Sequence, residues 1–521
     1  MSKILASAIA FAEIVCLLST MSSPTESPTT ESADASRETC VMMGAGPAGL
    51  TSAWALSQTG HPVVVWESDP RYVGGISRTV EQEGYRFDIG GHRFFSKSDE
   101  VNEVWHRIMP NDLIECPRLS RIYYKGKFFN YPLEAMDAFL KLGPVTTTGV
   151  VLSYLYARMF PIKPEPSLED WVVNRFGRKL FSIFFKSYTE KVWGIDCNEI
   201  SADWAAQRIK GLSLREAILN AFAGKKAEPT AKTLIRQFLY PRLGPGQMWE
   251  TATDTIRKDG GQVLMGHTVK HVHWQGNRVS HISGVTEDGR EVEQHGDRFI
   301  SSIPLQELIL AMTPAAPDAV LKAAKSLRYR DFLSVCLVVN EPDIFPDTWI
   351  YIHDPSVKVG RVQNYKNWSA AMVPDSSKTS LGLEYFCFEG DEMWTMSDEK
   401  LQELATKEIG QIGLAKPDKI EKAFIVRMPK AYPIYDQEYH KHVDVIKNWL
   451  NTFSNIQPVG RNGMHHYNNQ DHSMMTALLA ARNIDGGDYD CWKVNTDAEY
   501  HEAGESGTSR SMSPIVPAPK S

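Results

Sequence analysis

Apolar and polar positions alternate along this chain in blocks that name their own elements. Val41-Met42-Met43 is a short apolar run that stops at Gly44. A helix-length segment follows, and then Pro62-Val63-Val64-Val65-Trp66, a second apolar run that ends in an acid, Glu67. Short continuous apolar runs bounded by Gly or Pro read as strands buried on both faces. Arg121–Tyr124 and Phe128–Tyr131 flank Lys125-Gly126-Lys127 and predict a hairpin. Residues 145–240 read as largely helical, with Ser167 and Ser201 as N-caps and Asp203 in the first turn after the second. Gly244-Pro245-Gly246 leads into a helix that stops at Gly260-Gly261. Short strands are predicted over 263–265, 269–274, 278–285, 291–294 and 298–302, returning the chain to the fold it began. Residues 330–440 alternate strands and helices around aromatic clusters, and 460–483 reads as a loop and then a helix, with Thr476–Ala481 as its small-residue body. No internal repeat is present.

The ends differ from this pattern. Ile4 to Leu18 is mostly apolar and follows Lys3, the arrangement of a signal or anchor segment. Glu13 interrupts it, and the run is shorter than the roughly 20 residues a membrane span needs. Ser22 to Arg37 is rich in Ser, Thr, Pro and Glu and reads as disordered, so residues 1–37 are expected to be a disordered or cleavable leader, with Met21 an alternative start. Residues 496–521 read as a polar tail. Composition places what lies between among globular proteins: 42% hydrophobic and 23% charged over 521 residues, enough for two or three intertwined domains. A net charge of −7 with no dense basic block argues against nucleic acid. The seven cysteines are dispersed, with no C-x-x-C pair and no Cys/His spacing for a metal. That fits reduced, buried thiols, a cytoplasmic location and no metal site.

The chemistry begins with Gly44-Ala45-Gly46-Pro47-Ala48-Gly49, set between the two strands and closed by Glu67. This is the dinucleotide-binding arrangement in full context. Gly44 makes the turn, Gly46 lets backbone approach a pyrophosphate, Gly49 lets helix and strand pack closely, and Glu67 can accept bonds from ribose hydroxyls. Gly74-Gly75, then Ser77-Arg78-Thr79, then Asp88-Ile89-Gly90-Gly91-His92 follow at short range. Further glycine pairs so close to the first suggest a ligand reaching past its own pyrophosphate, which is FAD rather than NAD.

With those residues the chain resembles the FAD-binding half of the amine oxidase, protoporphyrinogen oxidase and UDP-galactopyranose mutase superfamily. A late segment, Gly460-Arg461 through Tyr467 to Asn469-Gln470-Asp471-His472-Ser473-Met474, resembles the C-terminal FAD motif of the mutases, particularly the larger eukaryotic type. The resemblance implies an α/β fold: an FAD-binding Rossmann-like (GR2-type) domain, an inserted helical domain and a mixed-sheet substrate domain. It divides the chain into FAD-binding parts at 38–100, 241–305 and 456–495, a helical and substrate insertion at 101–240, and a substrate-binding sheet region at 306–455. It implies cofactor contacts from Gly44, Gly46, Gly49, Glu67, Gly74, Gly75, Arg78, Gly90, Gly91, Gly460, Arg461, Asn469, Gln470, Asp471, Ser473 and Met474. His92 falls beside the flavin. Arg208 and Arg361 fall where the mutases hold the substrate diphosphate. Tyr131, Trp193, Tyr351, Tyr432 and Tyr467 fall at substrate positions.

Four positions depart from the mutase pattern. Leu133 replaces an aromatic, Glu134 a glutamine that reads uracil, Thr189 a sugar-binding asparagine, and His466 an arginine or similar base. A carboxylate offers acceptors alone where uracil also needs a donor. Three functions therefore stay open. One is a pyranose–furanose mutase for a nucleotide sugar, working through a reduced-flavin N5–sugar adduct, with NAD(P)H as reductant. The second is an FAD-dependent amine oxidase, protoporphyrinogen oxidase or desaturase working by hydride removal. The third is a flavin-binding module without turnover. The partner in the first is a small nucleotide sugar, with no nucleic acid and no stable membrane span; a homo-oligomer is compatible with each.

Overall fold

The computed structural model describes residues 37–131, 133–202, 204 and 237–495. The expected leader, Asp203, Arg208 and the polar tail therefore fall wholly or almost wholly outside the described residues.

Cys40–Met43 forms β1, fully buried, with β2 (Val63–Glu67) parallel on one side and Arg298–Ser301 parallel on the other. The register seats Val41 between Val64 and Phe299. Gln262–Met265 extends the sheet beyond β2, and Ile456–Pro458 extends it at the opposite edge. The sheet thus has five parallel strands drawn from three distant parts of the chain. A strand covered on both faces must be apolar throughout, which is why these segments carry no alternation.

Helix α1 (Pro47–Gln58) lies on one face of this sheet and buries Ala48, Leu50, Ala53, Trp54 and Leu56. It packs against Gly246–Lys258 and against the closing helix, Gln470–Ile484. The closing helix begins six residues before the small-residue run. Its start is set by a reciprocal cap: the Asn469 side chain accepts the His472 N–H, and His472 Nδ1 accepts the Asn469 N–H at 3.2 Å. Gln470, Asp471 and Ser473 are consequently first-turn helical residues rather than loop, and Met474 opens the second turn.

Two other predictions change. The strands over 267–295 leave the parallel sheet and form their own antiparallel sheet: His267–Gln275, Arg278–Thr286 and Glu291–His295, edged by Met312–Thr313. Gln237–Pro241, inside the segment read as largely helical, is a strand paired with Leu113–Pro117. Its Phe238 and Tyr240 are buried, and alternating aromatics favour a pleated, half-buried surface.

A seven-stranded mixed sheet faces the cofactor-type domain. Its order is Ile420–Pro433, Tyr329–Val339, Thr379–Cys387, Arg361–Asn364, Trp349–Ile352, Ser120–Tyr124 and Lys127–Asn130. The last two are the hairpin expected from sequence. Helices Ala135–Leu142, Pro144–Met159, Leu168–Phe176, Arg178–Phe181 and Ser187–Trp193 cover its end, with Ser167 capping the third through the Asp170 N–H. The six described cysteines are buried free thiols. Among the described residues no helix is long and apolar enough to cross a membrane, and no His/Cys/Asp/Glu group could hold a metal.

Candidate active site

Two helix N-termini converge on one cleft. Gly46 caps α1 and Asn469 caps the closing helix, and both line a cavity that encloses about 1170 Å³ including its open mouth. Unpaired N–H groups at a helix start, with the helix dipole behind them, favour an anion. Gly44, Glu67, Gly75, His92, Gly460, Arg461, Gln470 and Ser473 line the same cavity. Gly49 sits one turn into α1, where a Cβ would stand 1.9 Å from the Gly44 carbonyl oxygen; glycine there sets how closely helix and strand approach. Glu67 accepts the Ala45 N–H at 2.7 Å and the Asp69 N–H at 2.9 Å. Burial pushes its carboxyl above the ordinary carboxylate range, and those two donors hold it back.

The residues fit a flavin dinucleotide. Five lining side chains, Trp66, His92, Arg461, Asn462 and Gln470, bury a polar atom with no partner in the protein. Buried polar atoms are normally satisfied, so orphans that converge on one cleft call for a polar ligand. Gly46 and Gly75 add an open wall: a Cβ on Gly46 would meet nothing closer than 4.0 Å.

Other predicted cofactor residues serve different neighbours. A Cβ on Gly91 would overlap the Trp349 ring at 1.5 Å, and one on Gly74 would stand 2.8 Å from Trp249. Their missing side chains make room for tryptophans, a second reason for glycine at these positions. Arg78 pairs with Asp69 at 2.6 Å instead of lining the cleft. Met474 is fully buried in the core behind the helix, and Asp471 is buried beside His472 at 3.5 Å.

The second half of the site comes from the mixed sheet. Tyr351, Arg361 and Glu384 are direct cross-strand partners on three adjacent strands. Arg361 Nε donates to Glu384, whose other oxygen accepts Gln363 Nε2 at 2.6 Å. Arg361 Nη2 donates to the Tyr432 hydroxyl at 3.2 Å. Trp349 and Phe386 flank the guanidinium at 5.3 and 5.0 Å from their ring centres. Burial works against the Arg361 charge, but Glu384 overrides it and holds the guanidinium pKa well above its ordinary value. Burial pushes Glu384 up, with Arg361 and Gln363 opposing.

Tyr432 stacks on Tyr467, ring centres 5.9 Å apart, and the Arg461 guanidinium lies 5.5 Å and 4.9 Å from their two rings. Arg461 Nε donates to the Asn468 carbonyl at 2.7 Å while its Nη1 is one of the orphans. His92 closes the gap between cleft and cluster. A Cβ on Gly90 would lie 3.5 Å from His92 Nε2 and 3.7 Å from the Tyr432 hydroxyl. Burial first, then the nearby Arg461 charge, pulls the His92 pKa down to about 3, so the imidazole is neutral. Trp193 is buried edge-on to Trp204 and 6.0 Å from Tyr467. Tyr351 meets the exposed Tyr131 in a tilted ring contact, centres 4.4 Å apart.

Sequence reasoning missed Glu384 and Asp88. Glu384 is a lone acid in the otherwise neutral buried strand Thr379–Cys387, a signal present in the sequence. Asp88 lies inside the glycine motif; its carboxylate accepts the Tyr240 hydroxyl and Thr79 Oγ1, and burial pushes it up to about 7. Its Tyr240 partner comes from the strand misread as helix.

A parallel dinucleotide-binding sheet, a second helix N-terminus and an Arg–Tyr cluster between them define a flavoprotein-type cleft. The chain belongs to the flavin-containing amine oxidoreductase family, whose sequence profile matches residues 47–428. It is 23% identical over 293 residues to AofH of Mycobacterium tuberculosis strain H37Rv, described as a flavin-containing monoamine oxidase, covering 53% of this chain and 59% of that protein. A chloroplastic protoporphyrinogen oxidase of Nicotiana tabacum matches at 27% over 170 residues, 31% of this chain and 30% of that one. The chain thus spans well under two thirds of these curated relatives. Among solved structures, reduced UDP-galactopyranose mutase superposes with a TM-score of 0.75 at 20% identity, covering 86% of this chain and 94% of its own. Putrescine oxidase bound to putrescine gives 0.53 at 16% identity, with 86% and 99% covered. At such identities the likeness is one of fold.

Proposed function

We propose that this chain is an FAD-dependent isomerase that interconverts ring forms of a nucleotide sugar. The observation that carries this reading is the Arg361–Tyr432–Tyr467–Arg461 cluster, which meets the cofactor cleft through Arg461. Guanidinium forks and phenol hydroxyls are the donors a diphosphate needs. FAD would be held by the α1 N-terminus at its pyrophosphate, by Glu67 at a ribose, and by Asn469, Gln470 and Ser473 at the flavin end. Bound there and reduced, the flavin supplies a nucleophilic ring nitrogen beside the substrate.

The protein's own part is positioning and charge. Glu384 fixes the plane of Arg361, and Arg361 fills the acceptor side of the Tyr432 hydroxyl, leaving that O–H to donate to a phosphate oxygen. These donors answer the charge that develops as a diphosphate departs. Neutral His92 adds a hydrogen bond without adding a cation. Arg208 would be the second diphosphate arginine.

The amine oxidase or desaturase reading keeps one observation in its favour: Glu384 matches the Arg361 charge, so that pair adds little net attraction for an anion. A titration of the dithionite-reduced protein with UDP separates the two. Saturable binding, weakened roughly 10–100-fold by Arg361→Lys, supports the nucleotide-sugar reading, because one ammonium cannot bridge Glu384 and Tyr432. No binding, with flavin bleached by an amine in the absence of dithionite, refutes it.

A further inference from the structure

We propose that the helix Pro144–Met159, with the end of the helix before it, docks this protein on an anionic lipid bilayer surface. The inference stands apart from the catalytic reading. Of twelve large hydrophobic side chains exposed among the described residues, eight lie within residues 136–160. Leu140 is 76% exposed, Val145 86%, Leu152 62%, Tyr156 64%, Met159 66% and Phe160 62%. Val145, Leu152, Tyr156 and Met159 are spaced seven, four and three residues apart, which puts them on one helical stripe. The buried Val150 and Ala157 lie on a different face of the same helix, which packs against Leu168–Phe176 and Arg178–Phe181. The apolar stripe is therefore left over after the helix has met its own protein. A continuous apolar patch of this kind marks an interaction surface.

Charge selects the occupant. Residues 138–164 contain Lys141, Arg158 and Lys163 and no Asp or Glu, in a chain whose net charge is −7. Lys141 pairs with Asp137 one turn back, while Arg158 and Lys163 mark the helix end. An apolar stripe flanked by cations and carrying Tyr and Phe matches the interface of an anionic bilayer. A second copy of this chain suits it less well, because a two-fold contact lays the face against itself and brings Arg158 and Lys163 together while the segment's one acid, Asp137, is already paired with Lys141. Sixteen residues of helix extend about 24 Å, short of the roughly 30 Å hydrocarbon core, so the helix lies on the surface instead of crossing it. Tyr131, just before this hairpin of helices, touches Tyr351 of the candidate site ring to ring, so the docked face adjoins the site in the chain.

Flotation of the flavin-loaded full chain with vesicles tests this. Vesicles of phosphatidylcholine with phosphatidylserine should carry the protein up, phosphatidylcholine alone should not, and high salt should release it. Arg158→Gln/Lys163→Gln should weaken partitioning roughly 30-fold. Leu152→Ser/Tyr156→Ser/Met159→Ser should abolish it with the visible flavin spectrum unchanged, which shows the fold is kept. No flotation, or equal flotation on neutral vesicles, overturns the proposal. So does a dimer that the triple variant dissociates while no vesicle binds, since the face then belongs to a second copy.

Discussion

Arg361 and Glu384 face each other across adjacent strands with both charges out of water. Such a pair adds little stability by itself, because desolvation offsets the attraction, but breaking it leaves one charge stranded. Glu384→Ala is expected to cost about 3–5 kcal/mol in urea unfolding, with Glu384→Gln costing less because it still accepts from Arg361. Equal, small effects for both would mean that the pair is solvated and does not fix the guanidinium. At this scale the sequence showed the donors more readily than what holds them. Arg361, Tyr432 and Tyr467 follow from the resemblance. Glu384 needed the register of Arg361–Asn364 against Thr379–Cys387, and no local pattern states a register.

The two helix starts, at Gly46 and Asn469, line the cleft proposed for the cofactor. Removing the reciprocal cap with Asn469→Ala should cost about 1 kcal/mol and lower flavin retention through dialysis more than the stability loss alone explains. Unchanged retention would detach the closing helix from the cofactor. Gly49→Ala forces a methyl against the Gly44 carbonyl and should cost roughly 1–3 kcal/mol, seen as a lower thermal midpoint together with weaker FAD uptake. Elements with a local signal were legible in sequence: β1, α1, β2, the hairpin at 120–130 and the helix after Gly244. The start of the closing helix was set six residues late because its cap is an Asn–His pair, and the cap–x–x–Glu/Gln pattern does not anticipate His472. Gln237–Pro241 was missed because its partner Leu113–Pro117 lies more than a hundred residues away.

At the scale of the whole molecule, burial pulls several described histidines below their ordinary range, His92 and His353 to about 3 and His465 to about 4. Each sits below the unfolded value near 6.5, so unfolding takes up protons once the pH falls below about 6.5. The stability they favour is present above that value and is lost as the pH falls toward the folded values. Asp88, pushed up to about 7, works in the opposite sense, since its folded form keeps a proton the unfolded chain has released. A single replacement isolates one contribution. His353→Gln, in the stack on Tyr188 at 4.6 Å, should flatten the acid dependence of unfolding free energy by about 1.4 kcal/mol per pH unit between pH 6 and 4. An unaltered slope would mean that His353 is already charged in the folded protein. The overall division into a parallel cofactor sheet and a mixed sheet was anticipated from the motif order. The separate antiparallel sheet at 267–295 was not, because its strand pattern is local while its place in the fold is not.

The account turns on whether the Arg–Tyr cluster serves a nucleotide sugar beside a reduced flavin. The most direct measurement is anaerobic turnover of UDP-galactopyranose by the flavin-loaded, dithionite-reduced protein, followed by chromatographic separation of ring forms. A furanose product is expected from the reduced protein, none from the oxidised protein, and loss of product with Arg361→Lys. No furanose from the reduced protein, together with direct bleaching of the oxidised flavin by an amine or polyene, would contradict it.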